Sequence, residues 1–286
     1  MPRSFPPHLV RKGYIAATIL VALAAIVYAG GLAFLYVMQE RMLFPATVLP
    51  ADYRFRFPQP FEEIRIPVNG AVLDALHFTQ DDAKGLVFFL HGNAGNLETW
   101  ATGLDFYKRV GYDLFIFDYR GYGKSTGSIR SEEELHADVR AAWDAVAPRY
   151  RGKPIVIYGR SIGTGLAARL ARDVHPALLV LVSPYASLAA AAKRAYPLAP
   201  SWLLKYPLRT DAIIGAVTTP VMLLHGRDDA IIPASDSVLL QSLVHAPVEL
   251  VLVDGAGHND IHQFSAYLDA LAARLAHLAP VSLRDR

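Results

Sequence analysis

One stretch carries residues of the right type and spacing for nucleophilic chemistry: Ile155-Val156-Ile157-Tyr158-Gly159-Arg160-Ser161-Ile162-Gly163-Thr164-Gly165. A short apolar, β-branched run enters a G-x-S-x-G, and an Ala/Leu-rich segment of helical composition leaves it. Such a context predicts a serine on a tight strand-to-helix turn. Gly159 and Gly163 lack the Cβ atoms that would clash where strand and helix pass close together. The helix that follows aims its N-terminal amides at the serine, which favours negative charge on an oxyanion.

A serine hydroxyl is a poor nucleophile at neutral pH and needs an adjacent base. Of the ten histidines, His258 alone lies late in the chain, in a glycine-rich loop at the carboxyl end of a predicted strand, Asp254-Gly255-Ala256-Gly257-His258-Asn259-Asp260. An acid that orients the imidazole is expected between serine and histidine, after a strand. His225-Gly226-Arg227-Asp228-Asp229-Ala230-Ile231-Ile232-Pro233 offers two, Asp228 and Asp229, and spacing does not separate them. Leu90-His91-Gly92-Asn93-Ala94-Gly95-Asn96 follows the third predicted strand, where one backbone donor of an oxyanion hole belongs. The Asn93 amide is the candidate, with Ala94 its neighbour, and the Ile162 amide is the second donor. The Asn93 and Asn96 side chains could equally cap the next helix.

Two other readings fail on spacing. His258 and His262 stand four apart with Asp260 between, but no third metal ligand follows at a recognisable interval. Gly123-Lys124-Ser125 resembles the end of a phosphate loop, yet the glycine required five residues before Gly123 is Asp118. No metal or organic cofactor is therefore expected, and Gly121 and Gly123 are assigned to turn geometry.

These residues must be held by a sheet. Glu62–Pro67 and Val72–Phe78 read as two strands joined by Asn69-Gly70, a hairpin signal because both residues tolerate positive φ. From Leu86 apolar runs alternate with helix-length segments. The runs Leu86–Leu90, Asp113–Asp118, Ile155–Tyr158, Leu178–Val182, Val221–Leu224 and Val248–Val253 are nearly continuous, as in strands covered on both faces. Leu97–Val110, Glu132–Tyr150, Ile162–Val174, Ala234–Val244 and Asn259–Leu278 read as helices. The pattern predicts an α/β fold with an eight-stranded, mostly parallel sheet and helices on both sides. An insertion at 184–217, rich in Pro, Tyr, Trp and Leu, interrupts the alternation and is expected to form a small helical cap.

The chain has 286 residues, a formal net charge of +2 and no cysteine. So small a charge gives no footprint for nucleic acid, and disulfides or a cysteine nucleophile are excluded. Residues 14–38 run for twenty-five positions without a charge, enough to cross a hydrocarbon core of roughly 30 Å. Apolar character persists through Val37, beyond a cleavable signal's core, so a retained signal anchor is expected. Arg3, Arg11 and Lys12 precede the span, and Arg41 is the only cation in the fifteen residues after it. That bias predicts an inside N-terminus and an exported body, although Arg54 and Arg56 erase it in a wider window. The organisation expected is a flank (1–13), an anchor (14–38), a linker (39–60) and a body (61–280).

L-H-G-N-A-G-N, D-Y-R-G-Y-G-K-S, Y-G-R-S-I-G-T-G, S-P-Y, H-G-R-D-D-A-I-I-P and G-A-G-H-N-D-I together resemble the α/β-hydrolase-domain proteins of the serine-aminopeptidase-like branch, some of which carry an N-terminal membrane anchor. The likeness covers roughly residues 60–280. It implies Ser161 as nucleophile, His258 as base, Asp229 rather than Asp228 as the acid, and the Asn93 and Ile162 amides as the oxyanion hole. The implied activity is hydrolysis of carboxylic esters or thioesters, with lipid-like acyl substrates suggested by the anchor and apolar cap. A peptidase on the same triad, or a non-catalytic interaction protein on the same fold, are the alternatives. A carboxylate nucleophile of the dehalogenase kind is excluded by Ser161.

Overall fold

The computed structural model describes residues 7–278; Arg3 of the flank and the end of the 61–280 body lie outside the described residues. The chain opens with helix α1, Pro7–Leu43, of 37 residues. Between Arg11 and Leu43 it is long and apolar enough to cross a membrane. The helix runs past the anchor boundary expected at Met38, so the linker proper begins after Leu43.

The body is one eight-stranded sheet, ordered β1-β2-β4-β3-β5-β6-β7-β8. Its strands are β1 Phe61–Val68, β2 Ala71–Phe78, β3 Gly85–Leu90, β4 Tyr112–Phe117, β5 Ile155–Arg160, β6 Leu178–Val182, β7 Val221–Gly226 and β8 Val248–Val253. β1 and β2 form the antiparallel hairpin, turned at Gly70 with φ +74°, and the remaining strands run parallel. Between them lie α2 Leu97–Trp100, α3 Leu104–Val110, α4 Glu132–Val146, α5 Gly163–Val174, α6 Leu188–Ala195, α7 Thr210–Ile213 and α8 Ser235–Leu243, and α9 Ser265–Ala276 follows β8.

The nearly continuous apolar runs are explained by cover on both faces. Successive strand residues point to opposite sides. Phe88 of β3 and Phe115 and Phe117 of β4 pack with Trp143 of α4 and Leu166 of α5. Their neighbours Val87, Phe89, Leu114 and Ile116 pack with Phe106 of α3 and Leu271 of α9. Each such side chain stabilises the fold by roughly 1.5–3 kcal/mol on burial.

Two expected helices differ. The segment 97–110 breaks into α2 and α3, because Gly103 adopts φ +65° and starts a new helix. The segment 259–278 begins with a turn and a 3-10 stretch, Ile261–Gln263, so the regular helix starts only at Ser265.

The linker is stitched to the loops at the sheet's carboxyl edge. Thr47 N–H donates to the Gly95 carbonyl at 3.1 Å, and Leu49 N–H to the Gly123 carbonyl at 2.8 Å. The Asn96 side chain donates back to the Thr47 carbonyl at 3.1 Å. Lys124, from the motif resembling a phosphate loop, donates to the Tyr53 carbonyl at 3.0 Å and pairs with Glu63. Ser125 Oγ donates to the Asp118 carbonyl at 2.7 Å and accepts from the Asp74 amide at 2.8 Å. That motif is thus occupied in fixing a turn.

Candidate active site

β5 delivers Ser161 at its carboxyl end in a left-handed conformation, φ +51°, although it is not glycine. For a non-glycine residue this is strained and persists only when the surroundings over-determine it. They do so here. A Cβ at Gly163 would lie 2.2 Å from the Leu90 carbonyl oxygen, and one at Gly159 would lie 2.6 Å from Ala167 Cβ. The two glycines let α5 and β3 close on the turn from both sides. The Ser161 amide donates to the Val182 carbonyl at 3.0 Å, locking the turn to β6.

Ser161, His258 and Asp229, widely separated in sequence, meet at this edge. Ser161 Oγ lies 3.0 Å from His258 Nε2, and His258 Nδ1 lies 2.7 Å from Asp229 Oδ2. With the Nδ1–H donated to the carboxylate, the Nε2 lone pair faces the serine hydroxyl. Asp229 is buried whereas Asp228 is exposed. Asp229 Oδ1 also accepts from the amides of Ile231 at 2.9 Å and Ile232 at 2.8 Å. Burial alone would raise its pKa, but contacts from His225 and His258 and the Ile232 amide outweigh it and hold the carboxyl far below the ordinary range.

The two candidate oxyanion amides have no acceptor among the described residues. Each belongs to a peptide whose carbonyl is tied down. His91 Nδ1 is 2.7 Å from the Gly92 carbonyl, so the planar trans peptide turns the Asn93 N–H the opposite way. The Ser161 carbonyl accepts from the Thr164 amide at 2.9 Å and from its hydroxyl at 2.6 Å, which sets the Ile162 N–H in the same manner. The Asn93 carbonyl accepts from the Tyr122 hydroxyl at 2.6 Å, and the Ala94 carbonyl from Trp100 Nε1 at 2.6 Å. The Asn96 side chain caps α2, accepting from the Glu98 amide at 3.0 Å.

Several contributors escaped the sequence reading. His225 is fully buried; its Nδ1 meets Ser237 Oγ at 2.6 Å, and its Nε2 lies 3.0 Å from the Ile232 carbonyl and 3.3 Å from Asp229 Oδ2. Its place in the acid-bearing motif was the available signal. Arg160, directly before the serine, donates to the carbonyls of His258 and Asn259 at 3.1 Å each, and its guanidinium lies over the Trp100 ring. Nothing in its spacing announced that role. Arg160 also faces His262 Nδ1 at 3.3 Å, and burial together with that cation pushes the His262 imidazole below its ordinary value. A guanidinium beside His262 disfavours a second cation there, and His258 and His262 do not share a helix face.

A family model described as serine aminopeptidase, S33, matches residues 81–210. Alpha/beta hydrolase domain-containing protein 17B of Xenopus tropicalis is 36% identical over 195 residues, covering 66% of each chain. The human protein of that name is 35% identical over the same length and coverage. The chain belongs to the α/β-hydrolase family. The matched stretch spans just under two thirds of those relatives' own length. Among solved structures, an esterase of Pyrococcus furiosus superposes with a TM-score of 0.64 at 22% identity, over 80% of this chain and 99% of that one. A mouse alpha/beta hydrolase domain-containing protein 10 gives 0.57 at 20%, over 75% and 96%. At such identities the likeness is one of fold alone.

Proposed function

We propose that this α/β-hydrolase is a membrane-anchored serine hydrolase that cleaves carboxylic esters or thioesters through an acyl-enzyme. The observation that carries the reading is the hydrogen-bonded line Asp229–His258–Ser161 beside two unengaged backbone amides. Ser161 Oγ attacks the acyl carbonyl carbon while its proton passes to His258 Nε2. Asp229, kept ionised, stabilises the imidazolium. The Asn93 and Ile162 amides receive the charge that develops on the carbonyl oxygen; removing one such donor typically costs about 2.7–4 kcal/mol of transition-state stabilisation. His258 then protonates the departing alcohol or thiol as its bond to the acyl carbon breaks. Water, deprotonated by the same histidine, then attacks the acyl carbon; the bond to Ser161 Oγ breaks, Oγ takes the proton back from His258, and the carboxylic acid leaves.

Helix α1 is the proposed anchor. Arg11 and Lys12 before the span and only Arg41 soon after it favour a cytoplasmic N-terminus and an exported body. Lipid-borne acyl groups are the substrate class that this location favours.

The test is fluorophosphonate labelling of wild type and Ser161→Ala, with short- and medium-chain p-nitrophenyl esters, an acyl thioester and an N-terminally free peptide amide as substrates. Labelling and ester or thioester turnover in wild type, both lost in the variant, are expected. Turnover of the peptide alone would move the assignment to a peptidase. Folded wild type that neither labels nor turns over any of them would overturn the hydrolase reading.

A further inference from the structure

Twenty-five uncharged residues are more than the ~20 that a bilayer crossing requires. The insertion at 184–217 packs against α1 at and just beyond the carboxyl end of that run. Gln39 is buried, its amide donating to the Leu203 carbonyl and its oxygen accepting from the Lys205 amide, both at 2.8 Å. Lys205 and Tyr206 reach Glu40 at 3.0 Å each, and Phe44 packs edge-on against Tyr206. Above these contacts a cleft of about 260 Å³ opens between α1 and α6. Its walls are apolar and include Leu35, Met42, Leu188, Ala192, Leu203 and Leu204. For scale, an engineered cavity of about 150 Å³ suffices to bind benzene.

The rim of this cleft is the loop Tyr196–Trp202, and it exposes large apolar side chains. Leu198 is 79% exposed and Trp202 77% exposed. On the adjoining part of α1, Phe34 is 61% exposed, and with Tyr28, Leu32, Tyr196 and Leu198 it lines one apolar groove that runs from anchor to loop. The loop climbs along the helix: the Tyr28 hydroxyl donates to the Leu198 carbonyl at 2.8 Å. Tyr28 lies ten residues inside the uncharged run, which is about 15 Å at 1.5 Å per residue. That contact also gives a phenol set deep in the span its partner.

Part of the loop's backbone finds partners within the protein, although the amides of Leu198, Ser201 and Trp202 have no acceptor among the described residues. Pro197 and Pro200 bring no N–H. The Pro197 carbonyl accepts from Lys193 Nζ at 2.6 Å, and the Leu198 carbonyl from Tyr28. The amides of Tyr196 and Ala199 donate to the carbonyls of Ala192 at 2.8 Å and Tyr196 at 3.0 Å. Each polar group satisfied in this way lowers the cost of bringing irregular backbone into an apolar medium, and the unpaired amides favour the wetter, interfacial part of the bilayer over its centre. Tryptophan is, in addition, the side chain most at home at a membrane interface.

We propose that the loop Tyr196–Trp202 enters the bilayer beside α1, so that the protein grips the membrane at two places and the cleft between α1 and α6 opens onto lipid acyl chains. The inference rests on α1 being a membrane anchor.

The chain has no cysteine, so single cysteines can be introduced without background. Full-length Leu198→Cys, Trp202→Cys, Leu20→Cys and Arg130→Cys are nitroxide-labelled and placed in phosphatidylcholine nanodiscs. Collision with oxygen is compared with collision with a water-soluble nickel chelate, using only variants that melt like wild type. Lipid-type accessibility at 198 and 202, matching position 20 and opposite to position 130, is expected. Water-type accessibility at 198 and 202 with position 20 in lipid would overturn the second grip and leave the anchor standing. Water-type accessibility at position 20 as well would overturn both.

Discussion

His91 Nδ1 lies 2.7 Å from the carbonyl oxygen of Gly92, the residue next to it. Through the rigidity of one peptide plane, this buried histidine determines which way the Asn93 N–H faces. His91 touches no reacting atom and acts as a positioning residue. His91→Ala is expected to lower kcat for ester turnover by roughly 100-fold with little change in KM, since the amide it orients serves the transition state. A purely structural role for His91 would move the melting temperature and leave the kcat-to-KM split even.

Arg160 joins the serine's strand to the loop bearing the histidine. Arg160→Ala frees that loop, and misplacement of about 1 Å can cost ~100-fold in rate. Steady-state kinetics should show a fall of that order, with fluorophosphonate labelling slowed in parallel. Lysine keeps the charge but loses the planar guanidinium that lies over Trp100 while its Nη2 donates to both carbonyls, so Arg160→Lys should recover only part of the rate. Full recovery in the lysine variant would mean that charge, not the two hydrogen bonds, is what matters.

Asp228 and Asp229 are adjacent, yet only Asp229 meets His258. Asp229→Asn should reduce kcat by about 10⁴-fold, through loss of the imidazole's correct tautomer. Asp228→Asn should leave turnover unchanged. Equal losses in the two variants would contradict the assignment.

Asp74 carries a pH signature of stability. Its side chain is fully buried and its Oδ2 has no hydrogen-bond partner among the described residues. Burial, reinforced by nearby Glu63, pushes its carboxyl up from 3.8 to about 7. Between those values the folded protein keeps a proton that the unfolded chain releases, so this group's contribution is present below about pH 4 and is lost as pH rises through 7. Asp74→Asn should therefore melt higher than wild type at pH 8 and lose that advantage near pH 4. Parallel melting curves for the two proteins across the range would refute the account.

Much of the site was legible in the chain. The G-x-S-x-G between a β-branched run and an Ala/Leu-rich segment already demanded a strand, a tight turn and a helix, because only glycine tolerates such close backbone approach. The alternation of apolar runs with helical segments carried the eight-stranded sheet for a similar reason: a strand buried on both faces is built mostly of apolar residues. The absence of cysteine, the small net charge and the uncharged run at 14–38 were likewise determined by the sequence.

What the tertiary structure decided are relations between distant segments that have no local signature. Asp228 and Asp229 have the same chemistry, and only the fold buries one of them against His258. Arg160 acts through hydrogen bonds to the His258 and Asn259 carbonyls, which depend on where loops from separate strands end. The break between α2 and α3 turns on Gly103 adopting a positive φ, which composition permits but does not impose. The insertion at 184–217 declared itself by its prolines and aromatics, but its partner, the last turns of α1, lies more than 140 positions earlier in the chain. Hydrophobic periodicity says which face of a segment is buried; it does not say against what.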